Sequence, residues 1–133
     1  MLKQKAAAER QAAQHAKAAA ETARRLELLK APAEQIAFVQ AVEKARQQYD
    51  SGGNDLQKGA ARPARAKALC AAMKTPRVTS WVGTLDTVTT NSDGKGVIYV
   101  SIAKGLTLGT WNNSISDIGS NTLIEPESEL YQA

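Results

Sequence analysis

The segment at residues 91–113, NSDGKGVIYVSIAKGLTLGTWNN, decides the fold, because it has strand chemistry in a chain that begins as helix. Its Asp-Gly and Lys-Gly pairs at 93–96 tolerate the positive φ angles that tight hairpin turns require. The run VIYVSIA that follows places Ile98, Val100 and Ile102 on one face, and this alternation predicts a strand. Glycines flank the next run, LTL, which predicts a third strand. We therefore interpret the segment as the central hairpin of a small antiparallel sheet.

The residues before the turn, VTSWVGTLDTVTT at 78–90, are rich in β-branched and aromatic side chains. This composition predicts the first strand of the same sheet. The end of the chain, TLIEPESELYQA, is polar and acidic. We expect the sheet region with its acidic tail to span residues 77–133 and to contain about three strands.

Residues 2–30 are almost all good helix formers, without glycine or proline. Between Leu2 and Leu26 no apolar residue is larger than alanine, so the seam of a coiled coil is missing. The pattern predicts a solvated helix that docks only through its leucines at 26, 28 and 29. Pro32 then ends this helix or bends it.

A second helix is predicted at residues 33–49, because apolar residues recur at spacings of four, three and four. The motif DSGGN ends it. The apolar face consists of Phe38, Val42, Ala45 and Tyr49, flanked by Val39.

A third helix is predicted from Asn54 or Asp55, either of which can act as its N-cap, to about Met73. Pro63 lies inside this stretch and predicts a kink or a broken first turn. Cys70 falls beside Leu69 and Met73, so we expect it to be buried. Because it is the only cysteine, an intrachain disulfide and a cysteine-based zinc cluster are excluded.

These elements together predict an α+β protein with three regions. An Ala-rich helix occupies 1–31, a helical hairpin occupies 32–76, and the antiparallel sheet occupies 77–133. The N-terminal residues MLKQKAAAERQ have no apolar run, which argues against a secretory signal. No stretch approaches the roughly eighteen apolar residues that a transmembrane helix needs. The compartment stays open, with the cytoplasm as the default.

Four pieces of the second half form a recognisable pattern, namely Trp81-Val-Gly, Asn91-x-Asp93-Gly94-x-Gly96, Thr110-Trp111-Asn112-Asn113 with Asp117, and Thr122-Leu-Ile124. With these pieces the chain resembles an uncharacterised bacterial domain family that has an OB-like β-barrel after a helical, often membrane-tethered segment. The resemblance covers roughly residues 54–130. The resemblance implies an OB-like fold, and it implies no activity, cofactor or catalytic residue.

One departure from this family concerns the number of strands. An OB barrel has five strands, whereas this chain stops at Ala133 with about three and lacks the last ones. Two explanations stay open: the chain is a truncated product, or another copy or a partner supplies the missing strands. An open edge along VIYVSIA, which is apolar and uncharged, would invite pairing with another chain.

The charge of the chain is divided unevenly. Residues 1–76 carry fourteen Lys and Arg against seven Asp and Glu, and residues 77–133 carry three against six. The positive charge therefore belongs to the helices, where it predicts contacts with anions such as phosphates or lipid headgroups. A solvated helix face is the more common explanation of such a run. The candidate anion contacts are Lys58, Arg62, Arg65, Lys67, Lys74 and Arg77.

No group of residues predicts catalysis, a cofactor or a metal. The single His15 lies in the solvated helix without a partner one turn away. The motif TNSDGKG does not fit a calcium loop, because Val100 stands where the bidentate glutamate belongs. The amides of Asn112 and Asn113 beside Trp111 would suit a ligand groove. The pattern favours the other explanation, in which Trp111 plugs the barrel and the asparagines cap the following turn.

These observations favour a non-catalytic interaction or assembly module that binds a partner or another copy through its sheet. The alternative is a protein that binds single-stranded nucleic acid with its basic helices and OB-like aromatic residues. Candidate residues for the binding surface are Trp81, Tyr99, Trp111, Asn112 and Asn113.

Overall fold

The computed structural model describes residues 1–73, 75, 77–110 and 124–133. Three long helices precede a three-stranded antiparallel sheet, which confirms the α+β class. The chain divides into two compact units, Met1–Val82 and Gly83–Ala133. The elements are α1 (Leu2–Leu28), α2 (Ala33–Asp50), α3 (Asp55–Ala72), β1 (Thr84–Thr90), β2 (Gly96–Ala103), β3 (Leu106–Gly109) and α4 (Glu129–Gln132).

Helix α2 is the centre of the first unit, since α1 and α3 both pack against it. Its buried side chains follow one stripe at spacings of four, three and three: Gln35, Val39, Val42 and Ala45. The predicted apolar face is therefore correct for Val42 and Ala45, and the observed buried stripe begins and ends about one turn earlier along α2. Tyr49, predicted to close the face, is 41% exposed. Gln35, a polar residue, occupies the other end and is fully buried.

Helix α1 docks through small side chains and one leucine. Leu26 is buried, while Ala19, Thr22 and Ala23 are partly covered. The predicted docking by three leucines is wrong for two of them, because Leu28 is 76% exposed and Leu29 is also exposed. The first fourteen residues of the chain are exposed on every side, which agrees with the solvated helix predicted for them.

His15 lies where this exposed part of α1 ends. Its Nε2 atom is 3.4 Å from Oδ2 of Asp50, and its side chain is half-buried. The sequence predicts an exposed histidine with no partner one turn away on α1; in the structure its neighbour comes from α2, and the side chain is only partly exposed. The contact joins α1 to the C-terminal end of α2.

Helix α3 begins as predicted. Asn54 is its N-cap, and the Asn54 side-chain oxygen accepts a hydrogen bond of 2.9 Å from the backbone N–H of Gln57. The helix continues through Pro63 as one element, so the predicted broken first turn is not observed. No side chain of α3 is fully buried, and Cys70, predicted to be buried, is exposed. The reason is that α3 packs against α2 through a single edge and leaves its other faces in solvent.

Residues 78–83 are predicted to form the beginning of the first strand, and this prediction is wrong, because β1 begins at Thr84. Val82 is instead held by the Gln35 side chain. The Gln35 amide donates to the Val82 carbonyl at 2.7 Å and accepts from the Val82 N–H at 2.8 Å. Beside this pair, the rings of Phe38 and Trp81 pack with centroids 5.4 Å apart. The residues Trp81 and Val82 therefore pack against Phe38 and Gln35 in the N-terminal half of α2.

In the second unit β2 is the central strand, with β1 on one side and β3 on the other. The expectation that VIYVSIA forms an open edge is therefore wrong, because this run lies in β2 and pairs on both sides. Val97 and Ile102 are the buried hydrophobic residues of the sheet, and Gly96 beside Val97 is buried as well. Beyond the end of β3, Ile124 forms an antiparallel bridge with Gly96 and extends that side of β2.

The first testable prediction concerns Gln35. The substitution Gln35→Ala removes two hydrogen bonds and leaves the N–H and C=O of Val82 without partners at a part-buried position. Because each such group costs about 1–3 kcal/mol, we expect the free energy of unfolding to fall by about 2–5 kcal/mol. Urea denaturation measures this change. In the control Gln40→Ala, an exposed glutamine of the same helix is removed, and a change within about 0.5 kcal/mol is expected.

The variant Gln35→Glu separates the hydrogen bonds from simple packing. Only a protonated carboxyl can donate to the Val82 carbonyl while it accepts from the Val82 N–H. The stability of this variant should therefore rise as the pH is lowered from 7 toward 4. A stability that does not change with pH relative to the wild type would contradict the two-bond pairing.

Candidate protein-binding edge of the sheet

Strand β1 is exposed to solvent at all seven of its residues. It pairs with β2 on one side and has no neighbouring strand on the other among the described residues. A strand in this position presents unpaired backbone groups to any other extended chain. This edge of the sheet is the candidate site, and we call it the β1 edge.

The register shows which backbone groups of β1 point outward. Gly96 and Ile98 direct their N–H and C=O groups away from β1, toward Ile124 and Thr110 respectively. Since backbone groups alternate along an antiparallel strand, the opposite residues of β1 also point away from β2. Val88 lies opposite Ile98, and Thr90 lies opposite Gly96. The backbone N–H and C=O groups of Val88 and Thr90 therefore point to the outer side of β1, where no described strand pairs with them.

The intervening residues have the reverse orientation. Thr87 pairs with Tyr99 and Thr89 pairs with Val97, and these pairs supply the ladder between β1 and β2. Thr87 and Thr89 therefore form the hydrogen bonds that hold β1 against β2. The backbone groups of Val88 and Thr90 point to the other side of β1, where a further strand would pair.

Two large apolar side chains lie on this exposed strand. Leu85 is 63% exposed and Val88 is 67% exposed. Their cross-strand partners are Val100 and Ile98, and Val100 also pairs with Leu108 of β3. One face of the sheet is thus an apolar row that crosses all three strands and becomes more exposed toward the β1 edge.

A bulge limits the length of the edge. Between Leu85 and Thr87 the register shifts, so Asp86 has no partner on β2. Bulges and charged residues both discourage the pairing of edge strands. The flat and uncharged part of the edge is therefore the stretch from Thr87 to Thr90.

The residues predicted for the binding surface are distributed over the chain. Trp81 lies in the first unit and is half-buried against Phe38. Tyr99 lies in β2, where its ring covers Gly109 and occupies the space that a Cβ atom would take. Three residues predicted for this surface lie outside the described residues: Trp111, Asn112 and Asn113.

The predicted anion contacts belong to the helical unit. That unit, residues 1–82, has fifteen Lys and Arg against seven Asp and Glu, whereas residues 83–133 have two against six. Within the set, the Lys58 ammonium lies 5.5 Å from the centroid of the Tyr49 ring and is half-buried. Lys74 lies outside the described residues. The remaining cations are exposed: Arg62, Arg65, Lys67 and Arg77.

No group of three or more His, Cys, Asp or Glu side chains among the described residues is placed to hold a metal ion. Within the same described part of the chain, no helix has the length and the apolar character needed to cross a membrane.

No protein-family model, no curated protein and no solved structure matches this chain. The resemblance to an OB-like bacterial family therefore stays a prediction.

Sequence reasoning missed two features of this region. Gln35 was not predicted to be buried or to hold another segment. The signal for this role is its position four residues before Val39, on the same stripe of α2. The β1 edge was missed because VIYVSIA, the most apolar run, was expected at the edge. The cross-strand pairing places that run in the centre, and the threonine-rich run is left at the edge.

The second prediction uses proline to test the orientation of the backbone groups. Proline removes one N–H, which is tolerated at edge positions where that N–H faces solvent. We therefore expect Val88→Pro to lower the free energy of unfolding by less than about 1 kcal/mol. The matched variant Thr89→Pro removes a ladder bond to β2 and should cost about 2–4 kcal/mol. Chemical denaturation of both proteins measures the difference. Equal costs, or a larger cost for Val88→Pro, would show that the assigned orientation is wrong.

Proposed function

We propose that the chain is a non-catalytic protein-binding module that takes up an additional β-strand at the β1 edge. The observation that supports this proposal is the outward orientation of Val88 and Thr90, whose backbone groups face away from the sheet on a strand exposed at every residue. In this mode of recognition, main-chain hydrogen bonds provide affinity, and alternate side chains provide specificity.

The apolar row supports the same function. An added strand that places apolar side chains beside Leu85 and Val88 removes these two exposed side chains from water. Each square ångström of apolar surface that is covered contributes about 25 cal/mol. Backbone pairing and side-chain burial thus favour the same partner, an extended segment that is apolar on one face and uncharged opposite Thr87 to Thr90.

The third prediction is made for a selection of extended peptides. A phage-displayed library of random linear peptides is selected against the full chain, and the enriched peptides are synthesised. We expect them to lose at least about tenfold in affinity for Val88→Pro, since this variant lacks an outward N–H that a bound strand needs. Fluorescence anisotropy measures the dissociation constants. The control is Leu56→Ala, which removes an exposed leucine of α3 and should leave the affinity unchanged.

Two results would contradict the proposal. One is the absence of any enriched peptide. The other is a set of peptides that bind Val88→Pro as tightly as they bind the wild-type chain. In both cases the free backbone groups of β1 would not be a binding site for an extended segment.

Binding of single-stranded nucleic acid is the second candidate function, and the charges of α3 favour it. This helix has Asp55 as its only acidic residue. Its exposed cations Arg62, Arg65 and Lys67 take part in no ion pair with a described residue. They are therefore free to contact phosphate groups.

The fourth prediction tests this candidate by the salt dependence of binding to a labelled oligothymidylate. The double variant Arg65→Gln, Lys67→Gln should bind more weakly, and the slope of log K against log salt should decrease by about 1 for each lost phosphate contact. Lys104→Gln, in the acidic unit, is the control and should not change the slope. Binding that does not depend on salt, or that the double variant retains in full, excludes α3 as the contact surface.

A further inference from the structure

We propose that the strand added at the β1 edge is β1 of a second copy of this chain, paired antiparallel about a two-fold axis that passes beside Val88. This inference rests on the proposed function and names the partner of the same edge. It is argued from three properties of β1, namely the position of its free backbone groups, its charges and the side chains that the pairing brings together.

The position of the free backbone groups makes the edge self-complementary. Because the N–H and C=O of Val88 both point outward, Val88 of one copy can exchange two hydrogen bonds with Val88 of another. A pair of residues related by a two-fold axis in an antiparallel sheet has this pattern. The Val88 pair needs no change of backbone conformation, since β1 pairs with β2 in unbroken register from Thr87 to Thr90.

The charges along β1 are compatible with an antiparallel pairing centred on Val88. With Val88 at the axis, Thr87 of one copy lies opposite Thr89 of the other, and Thr90 lies opposite Asp86. The segment from Thr87 to Thr90 has no charged side chain. The two Asp86 carboxylates therefore face threonines instead of each other, and the repulsion that directly opposed like charges would cause is avoided.

Contacts between side chains also favour this pairing of two β1 strands. The two Val88 side chains, each 67% exposed in the single chain, become neighbours on the apolar face. The Thr87 and Thr89 pairs meet on the opposite face, where cross-strand threonine pairs are favourable. The two three-stranded sheets join into one sheet of six strands, and the apolar row of each copy continues into the row of the other.

The small area buried by this contact limits the affinity of the dimer. One strand edge buries much less than the roughly 800 Å² per partner of a standard interface. We therefore expect weak association, with dissociation constants in the range of about 10 µM to 1 mM. A trapping experiment is better suited to such an equilibrium than the isolation of a stable dimer.

The fifth prediction is a cysteine-trapping experiment on the full chain in a Cys70→Ser background, because the natural Cys70 is exposed. Val88→Cys places two thiols at the axis, where opposite Cα atoms are about 5.5 Å apart and within disulfide range. Thr89→Cys is the matched control, since its symmetry-related Cα atoms are separated diagonally by about 7–8 Å and lie outside that range. In a glutathione redox buffer, Val88→Cys should form the disulfide-linked dimer at least about tenfold faster than Thr89→Cys, as non-reducing gels would show.

Sedimentation equilibrium of the same chain without introduced cysteines supplies the second measurement. The wild-type chain should show a dimer fraction that rises with concentration, and Val88→Lys should remain monomeric because the axis would bring two lysines together. The inference is overturned if both cysteine variants crosslink at the same rate. It is also overturned if the wild-type chain is monomeric up to about 1 mM.

Failure of this inference and failure of the proposed function give different results. If the chain stays monomeric but peptides still bind in a manner that depends on Val88, the β1 edge binds a strand of another protein, and the second-copy inference is wrong. If neither dimers nor such peptides are found, the β1 edge is not a binding site, and both proposals are wrong.

Discussion

The pairing of the Gln35 side-chain amide with the backbone of Val82 is the constraint on which the rest of the structure depends. It satisfies an N–H and a C=O within the helical unit, so Val82 cannot contribute these groups to a sheet. Strand β1 consequently begins at Thr84. A buried glutamine is costly unless both ends of its amide are bonded, and the backbone of Val82 supplies both bonds at once.

This early anchor keeps the sheet small and determines its edges. Strand β1 is seven residues long, and β2 is the one described strand that pairs with it. Strand β2 pairs with β3 on its other side. The most apolar run of the chain is thereby covered on both sides, and a threonine-rich strand is left outside. Such a strand is soluble when alone, since threonine combines high β-propensity with a polar group, and it keeps its outward backbone available for pairing.

Local chemistry in the sequence was sufficient to predict the hairpin turn, the N-cap of α3 and the order of helices and strands. Asp-Gly pairs and an asparagine before a helix act within a few residues and need no tertiary information. The errors concern residues whose environment depends on partners distant in sequence. Gln35 and Val82 are forty-seven residues apart, and neither the exposure of Cys70 nor that of Leu28 follows from helical period alone. The edge position of β1 likewise depends on which strands pair with β2. The residues predicted around Trp111 lie outside the described part of the chain.

The central claim is that the outward backbone of Val88 and Thr90 is a binding surface, and amide hydrogen exchange measured by NMR at increasing chain concentration tests it most directly. At low concentration the amides of Thr87 and Thr89 should be protected by β2, while those of Val88 and Thr90 exchange quickly. As the concentration rises, the account predicts that the Val88 and Thr90 amides become protected and that the other two do not change. Rapid exchange of Val88 and Thr90 at every concentration, or protection of these amides in the dilute monomer, would contradict it.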